Sequence, residues 1–228
     1  MATDLQLKSL TKDLREYRHK YLTRDRQGLD ESATRILVNH LLTNVLGYEE
    51  LEEIKTEFEI RGSYADYVVQ LKRNKCFVVE VKSIGINLNE GHIRQTVGYA
   101  ANEGIEWAVL TNGRQIELYK VIFKKPINTV KLFSFQLDDL KQIPLAAKQL
   151  IFLTKHSIIK GELEGYWKRK TALSPESIAK ALYSEDVAKL LRHSLKKDTG
   201  LSVSVEDILI AMQLVILEKQ NILLKVKK

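Results

Sequence analysis

Residues Cys76–Ser83 read CFVVEVKS. A run this dense in aromatic and β-branched residues has the composition of a buried, central strand. Glu80 and Lys82 interrupt it at alternate positions, and side chains two apart on a strand point to the same face. A carboxylate and an ammonium therefore sit side by side, with Phe77, Val79 and Val81 on the opposite face. Unpaired charges are costly in a central strand, so the pair needs a reason to be there.

The flanking pattern supplies a setting. Leu10, Leu14, Tyr17 and Tyr21 recur at helical spacing within residues 5–21 and predict an amphipathic helix. Gly28 breaks it. Asp30 can cap a second helix reaching Leu46, with Leu37, Val38, Leu41, Leu42 and Val45 on its apolar face and Gly47 as its stop. The period then changes to two. Ile54–Arg61 alternates Ile54, Thr56, Phe58 and Ile60 against charged residues and predicts a half-exposed strand.

Ala65–Lys72 and Cys76–Ser83 are expected to form a hairpin through a turn at Arg73-Asn74-Lys75. A helix from His92 to Glu103 follows. Glu106–Thr111 and Gln115–Phe123 flank Asn112-Gly113, a strong hairpin signal, and Val130–Gln136 predicts a sixth strand. The order of elements gives an α/β fold, a mixed central sheet flanked by helices.

Beyond Pro144 only helical patterns remain. These are Leu145–Lys155, a glycine-flanked segment at Gly161–Gly165 with the look of a hinge, and helices capped by Ser174 and Ser184. Ser204 and Asp207 resemble a capping box ahead of the apolar Ile208–Leu217. The expected organisation is an N-terminal amphipathic helix (1–28), an α/β core (29–140) and an all-helical C-terminal region (141–228).

Composition limits the classes of function. With 44% apolar and 29% charged residues, the chain is an ordinary globular one. No apolar run approaches the roughly 18 residues that would span a bilayer. The first twenty residues lack the apolar core of a signal peptide, so the default expectation is a cytoplasmic protein without a membrane role. The single cysteine, Cys76, permits no internal disulfide and gives no metal-ligand spacing; a small buried strand residue is expected there. A formal net charge of +7 favours polyanionic partners, nucleic acid first. Each basic cluster, Lys225–Lys228 included, reads first as a solvated face.

The chemistry converges on the hairpin. Antiparallel pairing places residues near Asp66 opposite residues near Lys82, so Asp66, Glu80 and Lys82 can meet at one end of the sheet. Two carboxylates aimed at one point repel unless a cation lies between them, and hard oxygen donors suit Mg²⁺ or Mn²⁺. A neighbouring ammonium can hold a water or an anionic transition state there, the ingredients for metal-assisted attack on a phosphodiester. Taken alone, an E-x-K on a strand is often a surface pair worth roughly 0–1 kcal/mol. Gln95 and Tyr99 lie four apart on one helical face and can donate to phosphate oxygens or brace the lysine.

In this order, Asp66, Glu80-Val81-Lys82 and Gln95-xxx-Tyr99 resemble the PD-(D/E)xK nuclease superfamily. More narrowly they resemble the N-terminal endonuclease domain of type I restriction enzyme R subunits. Glu31–Arg35 running to Leu46-Gly47-Tyr48, Ala65-Asp66-Tyr67, Trp107–Gly113 and Glu117-Leu-Tyr119 carry the same resemblance, over residues 29–123 or so.

The resemblance implies a restriction-endonuclease-like core and a Mg²⁺- or Mn²⁺-dependent deoxyribonuclease, a phosphodiester hydrolase acting in restriction-modification, DNA defence or repair. It implies that Asp66, Glu80 and the Val81 carbonyl ligate the metal and that Lys82 positions or activates the attacking water. Glu31 would close the site through a water or a second metal position. Gln95 and Tyr99 would contact DNA or order the site. Products would carry a 5′-phosphate and a 3′-hydroxyl.

The sequence departs from the pattern in places. Alanine precedes Asp66 where proline is frequent, and Ser83 follows Lys82 where a second lysine is frequent. No G-x-x-x-x-G-K-[ST] loop is present, so no ATP site is expected in this chain. DNA is the expected partner, alongside other restriction-modification subunits or a second copy of the chain. Two other classes stay open: a catalytically silent nucleic-acid-binding module that keeps the fold, and an interaction subunit docking through Ile208–Leu217.

Overall fold

The structure, a computed structural model, describes residues 3–23, 28–60 and 63–214. Arg61, the far end of the expected Ile208–Leu217 helix and the Lys225–Lys228 cluster lie outside the described residues. The chain divides into two compact units, Met1–Tyr166 and Trp167–Lys228.

The first unit is built on a six-stranded sheet whose strands lie in chain order: β1 (Ile54–Ile60), β2 (Ser63–Leu71), β3 (Asn74–Val81), β4 (Trp107–Thr111), β5 (Gln115–Ile122) and β6 (Asn128–Gln136). All neighbours are antiparallel except β3 and β4, which run parallel. A parallel pair cannot be closed by a hairpin. The connection is α4 (Glu90–Asn102), so the helix bearing Gln95 and Tyr99 has to cross the sheet next to the end of β3.

Helices cover both faces. On one, Tyr99 and Ala100 of α4 pack against Val68, Val78, Ala108, Leu110 and Tyr119 of the sheet. On the other lies α2 (Glu31–His40), which runs on as a π-helical turn at Leu41–Val45. There Val38, Leu41, Leu42 and Leu46 meet Phe77, Val79 and Val109, with Leu150 of α5 (Ile143–Leu150) and Leu153 alongside. Each such side chain contributes about 1.5–3 kcal/mol when fully buried.

The first helix, α1 (Asp4–Tyr21), buries Leu10, Leu14 and Tyr17 and contacts α5 and the π-helical turn. The Tyr17 hydroxyl donates to the Gly113 carbonyl at 2.9 Å. Its apolar stripe, and that of α5, therefore belongs to the core unit. The division falls at Tyr166/Trp167, where residues 28/29 and 140/141 were the expected boundaries. The short helices α3 (Glu50–Glu53) and α6 (Lys155–Ile159) complete this unit.

The β2–β3 hairpin differs from expectation in its turn. Leu71 pairs with Asn74, so the loop is Lys72-Arg73, with φ of 47° and 68°. Both values lie in the left-handed region, which two-residue hairpin turns demand and which usually selects Asn-Gly. The Asn112-Gly113 hairpin forms as expected. The Asn112 side chain accepts from the Arg114 and Gln115 amides, and Gly113 adopts φ 80°. Cys76 is only half-buried.

Gly161 is a turn residue with φ 68°, but Gly165 lies inside α7 (Glu162–Ala172), so the expected hinge is largely helix. In the second unit, Ser174 and Ser184 cap α8 (Pro175–Leu182) and α9 (Glu185–Thr199), and Gly200 ends α9 in the left-handed region. Residues 205–214 begin a further helix. Its capping box forms, Ser204 Oγ accepting from the Asp207 amide at 3.0 Å and Asp207 Oδ2 from the Ser204 amide at 3.1 Å. Among the described residues, no helix is long and apolar enough to cross a membrane.

Candidate functional site

The site is assembled by a register shift. Next to the turn, Leu71 pairs with Asn74 and Gln70 with Lys75; past an irregularity at Val69/Gln70, Val69 pairs with Phe77 and Tyr67 with Val79. The bulge inserts one residue on the β3 side. One step beyond Tyr67, Asp66 therefore faces Glu80, where the sequence placed it nearer Lys82. Without the inserted residue it would face Val79, and its carboxylate would emerge on the wrong side of the sheet.

Both carboxylates are buried, Asp66 at 6% exposure and Glu80 at 2%. The Val81 amide donates to Asp66 Oδ2 at 2.7 Å. Oδ1 pairs with Arg35 Nη2 at 2.6 Å. On the facing arm of the hairpin, Glu80 Oε1 lies 2.6 Å from Nζ of Lys82, two residues further along the same chain segment. The second Glu80 oxygen, Oε2, is buried with no hydrogen-bond partner. A buried, unshared carboxylate oxygen is expensive. Burial pushes the Glu80 carboxyl up to about 7, against the Lys82 ammonium that works to lower it. Burial raises the Asp66 carboxyl as well, opposed by the Val81 amide and Arg35. For Lys82, burial lowers the pKa, yet Glu80, with Glu31 and Asp66, outweighs it and the net shift is upward.

α2 and α4 bring the remaining groups. Glu31, first residue of α2, reaches the cations: Oε2 is 3.9 Å from Lys82 Nζ and Oε1 is 3.4 Å from Arg35 Nη2. From α4, Gln95 Oε1 accepts from Lys82 Nζ at 3.4 Å, and Gln95 Nε2 donates to the Tyr99 hydroxyl at 2.8 Å. Gln95 thus braces the lysine, and the buried Tyr99 steadies Gln95 from within the apolar layer. The segment after Lys82 is fixed from two sides. Thr34 Oγ1 of α2 accepts from the Ile84 amide at 3.1 Å, and Asn112 Nδ2 donates to the Ile86 carbonyl at 2.8 Å.

Two participants were not singled out from the sequence. Arg35 touches Glu31, Asp66 and Glu57, and Glu57 holds φ 47° at the point where β1 passes Asp66. The Glu31/Arg35 spacing of four is a readable helical ion pair. Glu57 gave no signal beyond being one of several charged residues in an alternating strand.

Chemically, the donor set is two buried carboxylates, one oxygen of which is unshared. Among the described residues, no group of three or more His, Cys, Asp or Glu side chains is gathered so as to hold a metal ion. The fit to a divalent cation rests instead on the convergence of Asp66 and Glu80 and on the unshared Oε2. Hard oxygen donors of this kind, completed by waters, suit Mg²⁺ or Mn²⁺.

Residues 30–133 match the family model for the type I restriction enzyme R protein N terminus (HSDR_N). The match covers a little under half of the chain. It includes Glu31, Arg35, Glu57, Asp66, Glu80, Lys82, Gln95 and Tyr99, and it ends within β6. The resemblance to the R-subunit N-terminal domain extends to the fold, a mixed sheet between helical layers in an α/β, restriction-endonuclease-like arrangement. Helices α5 to α9 lie outside the HSDR_N match. Neither curated proteins nor solved structures gave a match.

Proposed function

We propose that the core unit is a Mg²⁺- or Mn²⁺-dependent DNA endonuclease, a phosphodiester hydrolase that works in restriction-modification or DNA defence or repair. The observation that carries this reading is the buried Glu80 Oε2, unshared, beside Asp66 and within one residue pair of the Lys82 ammonium. The HSDR_N match supports the same class.

In this reading Asp66, Glu80 and the Val81 carbonyl hold the metal. Bound there, a divalent ion supplies Lewis-acid polarisation of a phosphoryl oxygen and a more acidic water. The protein's own groups do the rest. The Val81 amide fixes the direction of the Asp66 carboxylate. Lys82 positions the attacking water and offsets the charge that develops on the phosphoryl group. Gln95 and Tyr99 restrict where the Lys82 ammonium can point, and Glu31 keeps it drawn toward the site. The expected products carry a 5′-phosphate and a 3′-hydroxyl. The +7 charge favours DNA as the partner, with other restriction-modification subunits or a second copy completing the assembly in the cytoplasm.

A second reading has one observation in its favour. Arg35 and Lys82 already pair with Asp66 and Glu80 inside the protein, as a silent nucleic-acid-binding module would require. Plasmid nicking with Mg²⁺ or Mn²⁺ separates the two. Metal-dependent nicks that disappear in Asp66→Ala and Lys82→Ala support the nuclease. Salt-sensitive DNA binding with no metal-dependent turnover supports the module.

A further inference from the structure

Arg35 occupies a position that the chemistry of the site does not require it to keep. Of the four carboxylate oxygens on Asp66 and Glu80, Asp66 Oδ2 is taken by the Val81 amide and Glu80 Oε1 by Lys82. Glu80 Oε2 is unshared, and Asp66 Oδ1 is held by the Arg35 guanidinium at 2.6 Å. A cation bridging the two carboxylates would take Oε2 outright and contest Oδ1 with Arg35.

The guanidinium has somewhere else to go. Glu31 and Glu57 each stand 3.4 Å from it, with side chains 39% and 73% exposed. Both can receive it without leaving a buried charge unpaired. The backbone is held in place, the Tyr67 hydroxyl donating to the Arg35 carbonyl at 2.8 Å, so the change is confined to the side chain. Nor is the Asp66 pose fully satisfied, because Arg35 Nε is buried without a hydrogen-bond partner.

We propose that Arg35 is a displaceable counter-ion: it neutralises Asp66 in the metal-free protein and moves to Glu31 and Glu57 when a divalent cation takes Oδ1. This rests on the metal-site reading above. Its consequences are distinct. The metal-free fold does not depend on metal to neutralise Asp66, and apparent metal affinity is reduced by the fraction of molecules in which Arg35 holds Oδ1.

Direct Mn²⁺ titration of the full chain by calorimetry tests it, on wild type, Arg35→Ala, Arg35→Gln and Asp66→Asn, with no substrate present. Removing a positive charge a few ångströms from a dication is expected to tighten Mn²⁺ binding about tenfold or more. Arg35→Gln should shift the same way and serves if the alanine variant does not fold. Asp66→Asn should lose binding. Equal or weaker Mn²⁺ binding by both Arg35 variants, with wild type still binding, overturns the counter-ion proposal alone. No binding by any variant, or binding unchanged in Asp66→Asn, removes the metal site and the proposal with it.

Discussion

The Val81 amide and the Asp66 carboxylate meet at 2.7 Å across the β2–β3 hairpin, so the strand that supplies Glu80 also fixes the direction of Asp66. Asparagine at position 66 preserves an acceptor for that amide, whereas alanine leaves it buried and unpaired. Asp66→Asn is therefore expected to keep the fold and abolish nicking. Asp66→Ala should also lose about 1–3 kcal/mol of stability. Urea unfolding of the two variants beside a nicking assay checks both halves.

On the proposed reading Gln95 acts through Lys82, whose ammonium its Oε1 meets at 3.4 Å, and not on the phosphodiester itself. Lys82→Ala removes the ammonium and is expected to cut the single-turnover rate about a hundredfold or more. Gln95→Ala leaves the lysine present but less restrained, and a fall of about tenfold is expected, with DNA affinity nearly unchanged. Tyr99→Phe should have a smaller effect in the same direction. If Gln95→Ala weakened DNA binding and spared the single-turnover rate, the residue would be a DNA contact instead.

The raised carboxyl of Glu80 makes a statement about stability. Folded, Glu80 keeps its proton to about pH 7, whereas the ordinary value is 4.5. Between those values the folded state binds more protons than the unfolded one, so stability falls as pH rises through that window. The upward shift of Asp66 has the same sign. That of Lys82 has the same sign in a higher window, its contribution being lost as pH rises past its ordinary value and through its own raised pKa at alkaline pH. Urea unfolding in chelator should show Glu80→Gln gaining on wild type from pH 4.5 to 7. Parallel curves would contradict the assignment.

Thr34 ties α2 to the segment leaving Lys82, its hydroxyl accepting from the Ile84 amide. Thr34→Val keeps the volume and leaves that buried amide without a partner, at a cost of about 1–3 kcal/mol. Hydrogen exchange at Ile84 should accelerate before the sheet's amides do.

Much of this was legible in the sequence because each element carries its own local signal. The 3.6-residue stripe of Leu10, Leu14 and Tyr17 and the alternating, β-rich runs gave the helices and strands in order. The spacing from Asp66 to Glu80 and Lys82 brought those three side chains to one end of the hairpin, where the structure gathers them.

What failed to show were features set by tertiary context. Lys72-Arg73 forms the hairpin turn with positive φ although neither residue prefers it, so local chemistry pointed to the following residues. The bulge beside Val69/Gln70 leaves no mark in composition, yet it decides that Asp66 faces Glu80. Arg35 belongs to a helix read as an apolar stripe, and only folding reveals that its exposed side overlooks Asp66. The core's extent through α5 and α6 was hidden because helices outside the sheet read alike whether or not they pack on it.

Metal-dependent cutting at the Asp66–Glu80 pair is the central test of the proposed nuclease. The direct measurement is nicking of supercoiled plasmid by the full chain in Mn²⁺, by wild type, Asp66→Asn and Lys82→Ala purified in parallel. Nicking by wild type that a chelator stops, and that both variants lack while remaining folded, is the predicted result. Equal residual cutting by all three proteins, or none by a wild type that binds Mn²⁺, would contradict it.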